Sequence, residues 1–212
     1  KKVYEVRNCQ TLIDVGKELT DHMFMKGNKM FKYELNGNTY SIYKRTSPMN
    51  GMSIYDNMLE TWASKRNKLN EDFKLYSNER DLKQDINEWK YCNYDDFSLN
   101  VGFPRDCGRN KRVTWKWARK PEYGCNNRTR DFAFYVDSSI DILNYDIAIK
   151  TSSRHWADSK RTIKIKIKGT SGETEWITLN KDGEKFHRGE RKVFNIFAKD
   201  IGKVVDFKLW LT

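Results

Sequence analysis

Residues 161–169 read RTIKIKIKG, three isoleucines and three lysines in strict alternation. A period of two puts Ile163, Ile165 and Ile167 on one side of an extended chain and Lys164, Lys166 and Lys168 on the other. Only a strand with one buried and one solvated face suits that pattern. The neighbouring sequence repeats the arrangement. YDIAIKT, EWITLN, KVFNIFAK and VVDFKLWLT are short strand-like runs separated by SSRHWADS, TSGET and NKDGEKFHRGER. Several short strands at this spacing predict an antiparallel β-sandwich over residues 140–212. In its last strand Val205, Phe207, Leu209 and Leu211 are expected to point inward.

Residues 1–137 read differently. VYEV is an expected strand, followed by Cys9 and a short helical pattern in TLIDVGKEL. MFKYELNGNTYSIYKR alternates around Asn36-Gly37-Asn38, a hairpin signature. From residue 53 to 90 there is no Pro or Gly. There Tyr55, Met58, Leu59, Trp62, Leu69, Phe73 and Tyr76, then Leu82, Ile86 and Trp89, recur at steps of three and four. This stripe predicts two helices or one kinked helix, with its aromatic face on a core. Glu60, Glu71, Asp72, Glu79, Asp81 and Asp85 break up any basic face, which argues against a membrane-surface helix. In RVTWKWARKP, Val113, Trp115 and Trp117 share one face of an expected strand ended by Pro121, and FAFYV reads as another. The expected fold class is α+β. A mixed α/β, disulfide-containing domain covers 1–137 with a helical segment near 53–90, a boundary falls near Asp137–Ser139, and an antiparallel sandwich follows.

Hydrophobic residues make up 38% of the 212 and aromatics 14%, enough for a packed core. No run of about 18 apolar residues occurs. The numbering opens on KKVYEV without Met, which points to a mature fragment or an excised piece, so the lack of a leader says little about compartment. The formal charge is +11. Nine Lys or Arg stand against Asp106 and Glu122 between Arg105 and Arg130, and twelve against six acids between Lys150 and Lys192. Such a surface attracts nucleic acid, acidic glycans or anionic lipid, or simply serves solubility.

Cys9, Cys92, Cys107 and Cys125 form no CxxC pair, and His22, His155 and His187 are far apart, so neither a metal nor any other cofactor is indicated. An even cysteine count fits an oxidised compartment, hence a secreted or cell-surface protein. Local loop closure favours Cys107–Cys125, leaving Cys9–Cys92, among three possible pairings. Asn127-Arg128-Thr129 is a glycosylation sequon. Catalytic constellations are not apparent: there is no G-x-S-x-G, and GTSG at 169–172 lacks the features of a phosphate loop. His187 reads as a turn residue, and the pairs Asp95-Asp96 and Glu173/Glu175 fall on turns or edges. The expectation is a non-enzymatic protein.

The order YDIAIKT, IKIKIKG, EWITLNKDGE, FHRGERKVFNIFAKDIGKV and FKLWLT resembles the PLAT domain, the lipoxygenase-homology β-sandwich. The spacing between FHRGE and DIG is the most specific part of that likeness. It covers about a third of the chain. Family members carry further strands after the position of FKLWLT, so something is expected to cover the edge at 204–212. Asp158 and Asp182 are too few for the calcium site of calcium-dependent members. In the amino-terminal part RNCQTLIDVG resembles extracellular fibrinogen-like or collagen-propeptide modules. The Lys- and Asn-rich composition is similar to that of the LCCL-type surface proteins of apicomplexan parasites.

The PLAT resemblance implies a module that docks on membranes or protein partners through loop aromatics. Here the loop is SSRHWADSKR, where Trp156 is flanked by Arg154, Lys160 and Arg161. Trp156 either stands at a loop tip or folds back over the sandwich end. The row Lys164, Lys166 and Lys168 either adds to a basic docking face or is merely solvated. The function expected is extracellular or cell-surface binding and adhesion to a protein or an anionic lipid surface. The alternatives are the membrane-targeting part of a lipid-acting enzyme or toxin, and a nucleic-acid binder using 105–130, where Trp115 and Trp117 stack bases. Nucleic acid is the least favoured partner because Trp115 and Trp117 share a face with Val113 and read as core.

Overall fold

A computed structural model describes residues 1–94, 100–124, 131–180 and 184–212. The chain divides into two compact units, Lys1–Ser139 and Ile140–Thr212. Its class is α+β, dominated by strands.

Unit 1 is built on a six-stranded antiparallel sheet. Its strands are β1 (Lys2–Arg7), β2 (Gln10–Asp14), β3 (Met30–Leu35), β4 (Asn38–Arg45), β5 (Phe73–Tyr76) and β6 (Phe132–Val136), in the order β2-β1-β6-β3-β4-β5. The β3–β4 hairpin turns at Asn36 and Gly37, both with positive φ (51° and 78°), as the Asn-Gly pair requires. FAFYV is inserted between β1 and β3, where Phe132 and Phe134 join Phe31 and Tyr33 on the inner face. Helices α1 (Lys17–Lys26) and α2 (Ile54–Leu59) cover that face with Leu19, Met23, Phe24, Ile54, Met58 and Leu59, all buried. At the centre Trp62 is 1% exposed, its ring in contact with Tyr43, Phe73, Tyr94 and Phe103.

Three expectations for this unit are corrected. The helical pattern in TLIDVGKEL is a strand through Asp14, and the helix starts only at Lys17, after Gly16 (φ 84°). The 53–90 stripe is not a long helix. Ser53 caps α2 by accepting from the Asp56 amide (3.1 Å), and Asn78 caps a separate short helix, α3 (Glu79–Gln84), by accepting from the Asp81 amide (2.9 Å). Between them Arg66 and Asn70 take positive φ, and FKLY becomes β5, its backbone satisfied by the open edge of β4 (Tyr43↔Leu75, Arg45↔Phe73). Most of the stripe is still core. Within it FKLY also alternates, with Phe73 and Leu75 on one side and Lys74 on the other, and there sheet pairing decided for the strand. Finally, RVTWKWARKP is not a strand: Trp115 has φ 65° and is 47% exposed.

The bridge is Cys92–Cys107, with Cα atoms 4.0 Å apart, which rules out both expected pairings, Cys107–Cys125 and Cys9–Cys92. Tyr91 and Gly108 exchange backbone hydrogen bonds as an antiparallel bridge, which sets Cys92 opposite Cys107. Cys9 is also disulfide-bonded. Cys125, the sequon at Asn127 and the pair Asp95-Asp96 lie outside the described residues.

Unit 2 has two antiparallel sheets. One pairs β7 (Ile142–Lys150) with β11 (Arg191–Lys199). In the other, β8 (Ile163–Gly169) lies between β10 (Ile177–Thr178) and β12 (Val204–Leu211), and also pairs β9 (Gly172–Glu173). Ile163, Ile165 and Ile167 are 5–7% exposed and pack with Leu179, Phe186, Ile196 and Ile201. Tyr145, Ile147, Ile149 and Phe194 of the β7–β11 sheet close over them. Buried Asn180 accepts from the Ile163 amide (2.7 Å) and donates to the carbonyls of Arg161 (3.1 Å) and Glu184 (3.3 Å). The DIG segment docks against the turn after β8. A Cβ on Gly169 would lie 2.1 Å from the Ile201 carbonyl oxygen, and Ser171 donates its amide to that oxygen at 2.9 Å.

The last strand departs from expectation. Phe207, Leu209 and Leu211 pair with Ile167, Ile165 and Ile163 and share their side of the sheet, yet they are 49–59% exposed, as is Val205. Alternation placed them on the correct face. Among the described residues the second layer covers β8 and leaves β12 open.

Candidate docking surface

The loop between β7 and β8 is held by its neighbour, the segment before β11. Thr151 donates its amide to the Glu190 carbonyl (2.8 Å) and Gly189 to that of Ser152 (3.0 Å). Ser159 and Phe186 exchange backbone hydrogen bonds at 3.0 and 2.8 Å. Asp158 accepts the Arg188 amide at 2.7 Å and lies 3.9 Å from His187 Nδ1. Its carboxylate thus organises the paired loops. Asp182 lies outside the described residues. Phe186, 2% exposed, roots the second loop in the core.

On this frame Trp156 projects outward. It is 95% exposed in a left-handed conformation (φ 65°), so it does not fold back over the sandwich end. Arg154, Lys160 and Arg161 are exposed on the same loop. The Ser152 and Ser159 hydroxyls fix the turns before Arg154 and Arg161 by accepting their amides, each at 3.2 Å. The paired segment contributes Arg188, whose guanidinium is 3.4 Å from His155 Nδ1. The FHRGER motif carries the family likeness but gives no sign of this cation's place, because side-by-side loops cannot be deduced from order along the chain.

The lysine row diverges from this surface. Lys164 starts β8 next to the loop, while Lys168 stands about 13 Å further along the strand. Lys166 pairs with Glu173 at 2.6 Å and holds that carboxyl below its usual range. In register with the row on β12 are Trp210, Lys208 and Asp206. The expected residues therefore form a loop cluster of Arg154, Trp156, Lys160 and Arg161 and a strand row partly neutralised by acids.

Two facing β-layers, with a cation-flanked tryptophan carried on paired loops at one end, describe a β-sandwich module. Residues 145–212 match the model of the PLAT/LH2 domain, and the carboxyl-terminal unit carries that domain. Solved structures similar to the chain include "Crystal structure of Delta413-417:GS LOX", at 25% identity, covering 34% of this chain and 10% of that one, with a TM-score of 0.32. Another is "Anaerobic crystal structure of delta413-417:GS LOX in complex with arachidonate", at 25% identity with the same coverage and a TM-score of 0.31. The chain thus spans about a tenth of the length of the lipoxygenase structures it matches. No curated protein matches it.

Proposed function

We propose that this is a non-catalytic binding protein of the cell surface or extracellular space, whose PLAT unit docks on an anionic lipid surface through the Trp156 loop. The observation that carries the reading is the 95% exposure of Trp156 on a loop braced by a second one. An indole left in water costs apolar hydration that insertion at a bilayer interface recovers, with its N–H still able to reach polar headgroups. Arg154, Lys160, Arg161 and Arg188 then lie at headgroup level, each adding about 1 kcal/mol on an anionic surface. The disulfide-bonded cysteines support an oxidising compartment. A targeting role within a larger lipid-acting enzyme uses the same surface and is compatible with it.

Co-sedimentation with phosphatidylcholine vesicles, with and without phosphatidylserine, tests the reading. Wild-type protein is expected to pellet with the anionic vesicles, and Trp156→Ala to lose most of that binding with folding unchanged. Retention by neither vesicle type would sink direct lipid docking and leave a protein partner for the same loop.

A further inference from the structure

The stretch Arg109–Trp117 of unit 1 is a closed loop on a buried base. At one end Ala118 is clamped by two backbone hydrogen bonds, accepting from Gly102 (3.0 Å) and donating to Phe103 (2.8 Å). At the other end stand the Tyr91–Gly108 bridge and the Cys92–Cys107 disulfide. A Cβ on Gly108 would sit 2.2 Å from the Lys111 carbonyl oxygen, so the loop lies tight against its base. Buried Asp106 anchors it from below through Arg112 (2.8 Å).

What this anchored loop displays is an aromatic ladder among cations. Trp115 and Trp117 stack with centroids 5.3 Å apart at 28°, and the Arg105 guanidinium lies 6.0 Å from the Trp117 ring centre. Trp115 is held at φ 65° and 47% exposed. A bulky residue in that backbone region is uncommon and strained, and about half of its surface stays open to solvent. From residue 105 to 120 the sequence has seven Lys or Arg and one acid, Asp106, which is already engaged by Arg112. Among the described residues Arg109, Lys111 and Lys116 make no ion pair.

We propose that this loop is a binding site for an acidic, sulfated glycan, with a sugar ring laid on the exposed indole and its sulfates or carboxylates on Arg109, Lys111 and Lys116. The apolar C–H face of a sugar ring that carries regularly spaced anions matches an indole face set beside Arg109, Lys111 and Lys116. Nucleic acid offers similar features. The disulfide under the loop favours the glycan, because such a bridge persists in oxidising compartments, where the anionic polymers available are largely sulfated glycans. The proposal is independent of the PLAT reading, which concerns other residues and another unit.

The test measures binding of the whole chain to a heparin-derived dodecasaccharide, its desulfated counterpart and a single-stranded oligonucleotide of equal charge, at about 0.15 M salt. The sulfated sugar is expected to bind tightest. Arg109→Ala/Lys111→Ala/Lys116→Ala should weaken it about tenfold or more, and Trp115→Ala, which changes no charge, about fivefold. A charge-matched control, Lys26→Ala/Lys65→Ala/Lys83→Ala, should lose less than about twofold. Equal losses in control and loop variants would reduce the effect to net charge and overturn the proposal. So would wild-type affinity in Trp115→Ala, or preference for the oligonucleotide. Circular dichroism of each variant separates lost binding from lost fold.

Discussion

The Arg45 side chain is wholly enclosed in unit 1. Its Nε donates to the Ser47 carbonyl (3.0 Å), Nη1 to that of Arg66 (2.8 Å) and Nη2 to that of Pro48 (2.8 Å), while the Asp72 carboxylate lies 3.7 Å away. One planar cation thus satisfies three carbonyls of the turns that flank α2, a task a lysine's point charge cannot share out. Arg45→Met is expected to cost about 3–5 kcal/mol in urea unfolding, because those acceptors and the carboxylate lose their donor. Asp72 is held below the usual carboxylate range, first by the Ser47 hydroxyl (2.6 Å), then by the Lys68 amide, with Arg45 adding to the shift. A lowered folded pKa gives stability that is complete above the unfolded value, near 4, and is lost as pH falls through the folded one. Asp72→Asn should therefore flatten the pH dependence of stability below about pH 4 and leave its slope at neutral pH unchanged.

At the scale of elements, β8 and β12 show what alternation can and cannot say. The two strands have facing apolar rows, yet Ile165 is 5% exposed and its cross-strand partner Leu209 is 49% exposed. Ile165→Ala should then cost about 2–4 kcal/mol, and Leu209→Lys less than about 0.5 kcal/mol, both read from denaturant midpoints. Equal costs would mean that β12 is enclosed in solution. The same contrast explains what was legible beforehand. Strand identity and face follow from local sterics, which is why the Asn-Gly hairpin, FAFYV and the carboxyl-terminal strands could be read. Whether a face is covered depends on a second layer elsewhere in the chain, so the fate of Val205, Phe207, Leu209 and Leu211 was not legible. In residues 53–90 the apolar spacing suited a helix, and only around Phe73 and Leu75 did alternation also allow a strand, which the open edge of β4 selected. In the loop between β7 and β8 the type and order of residues single out Arg154, Trp156, Lys160 and Arg161, which lie exposed on that loop. Arg188 required knowing that two loops run side by side. Around Trp115 a period of two predicts a strand, but the chain instead passes through a left-handed residue there.

For the whole molecule, the two units differ in how they are secured. All four cysteines precede residue 126, so oxidation fastens unit 1 alone. The Cys92–Cys107 bridge spans a sequence separation of 15, and closing a loop of that size stabilises by about 3 kcal/mol. Reduction should accordingly advance the proteolysis of unit 1 while leaving cleavage within 140–212 at its original rate. Trp62 makes the same event visible by light. Its indole Nε1–H donates to Cys107 Sγ at 3.3 Å, at the centre of the aromatic cluster. An excited indole touching a disulfide passes an electron to it and returns dark. The oxidised protein is therefore expected to hold Trp62 dark, and opening the bridge should make it fluoresce, a rise that Trp62→Phe abolishes.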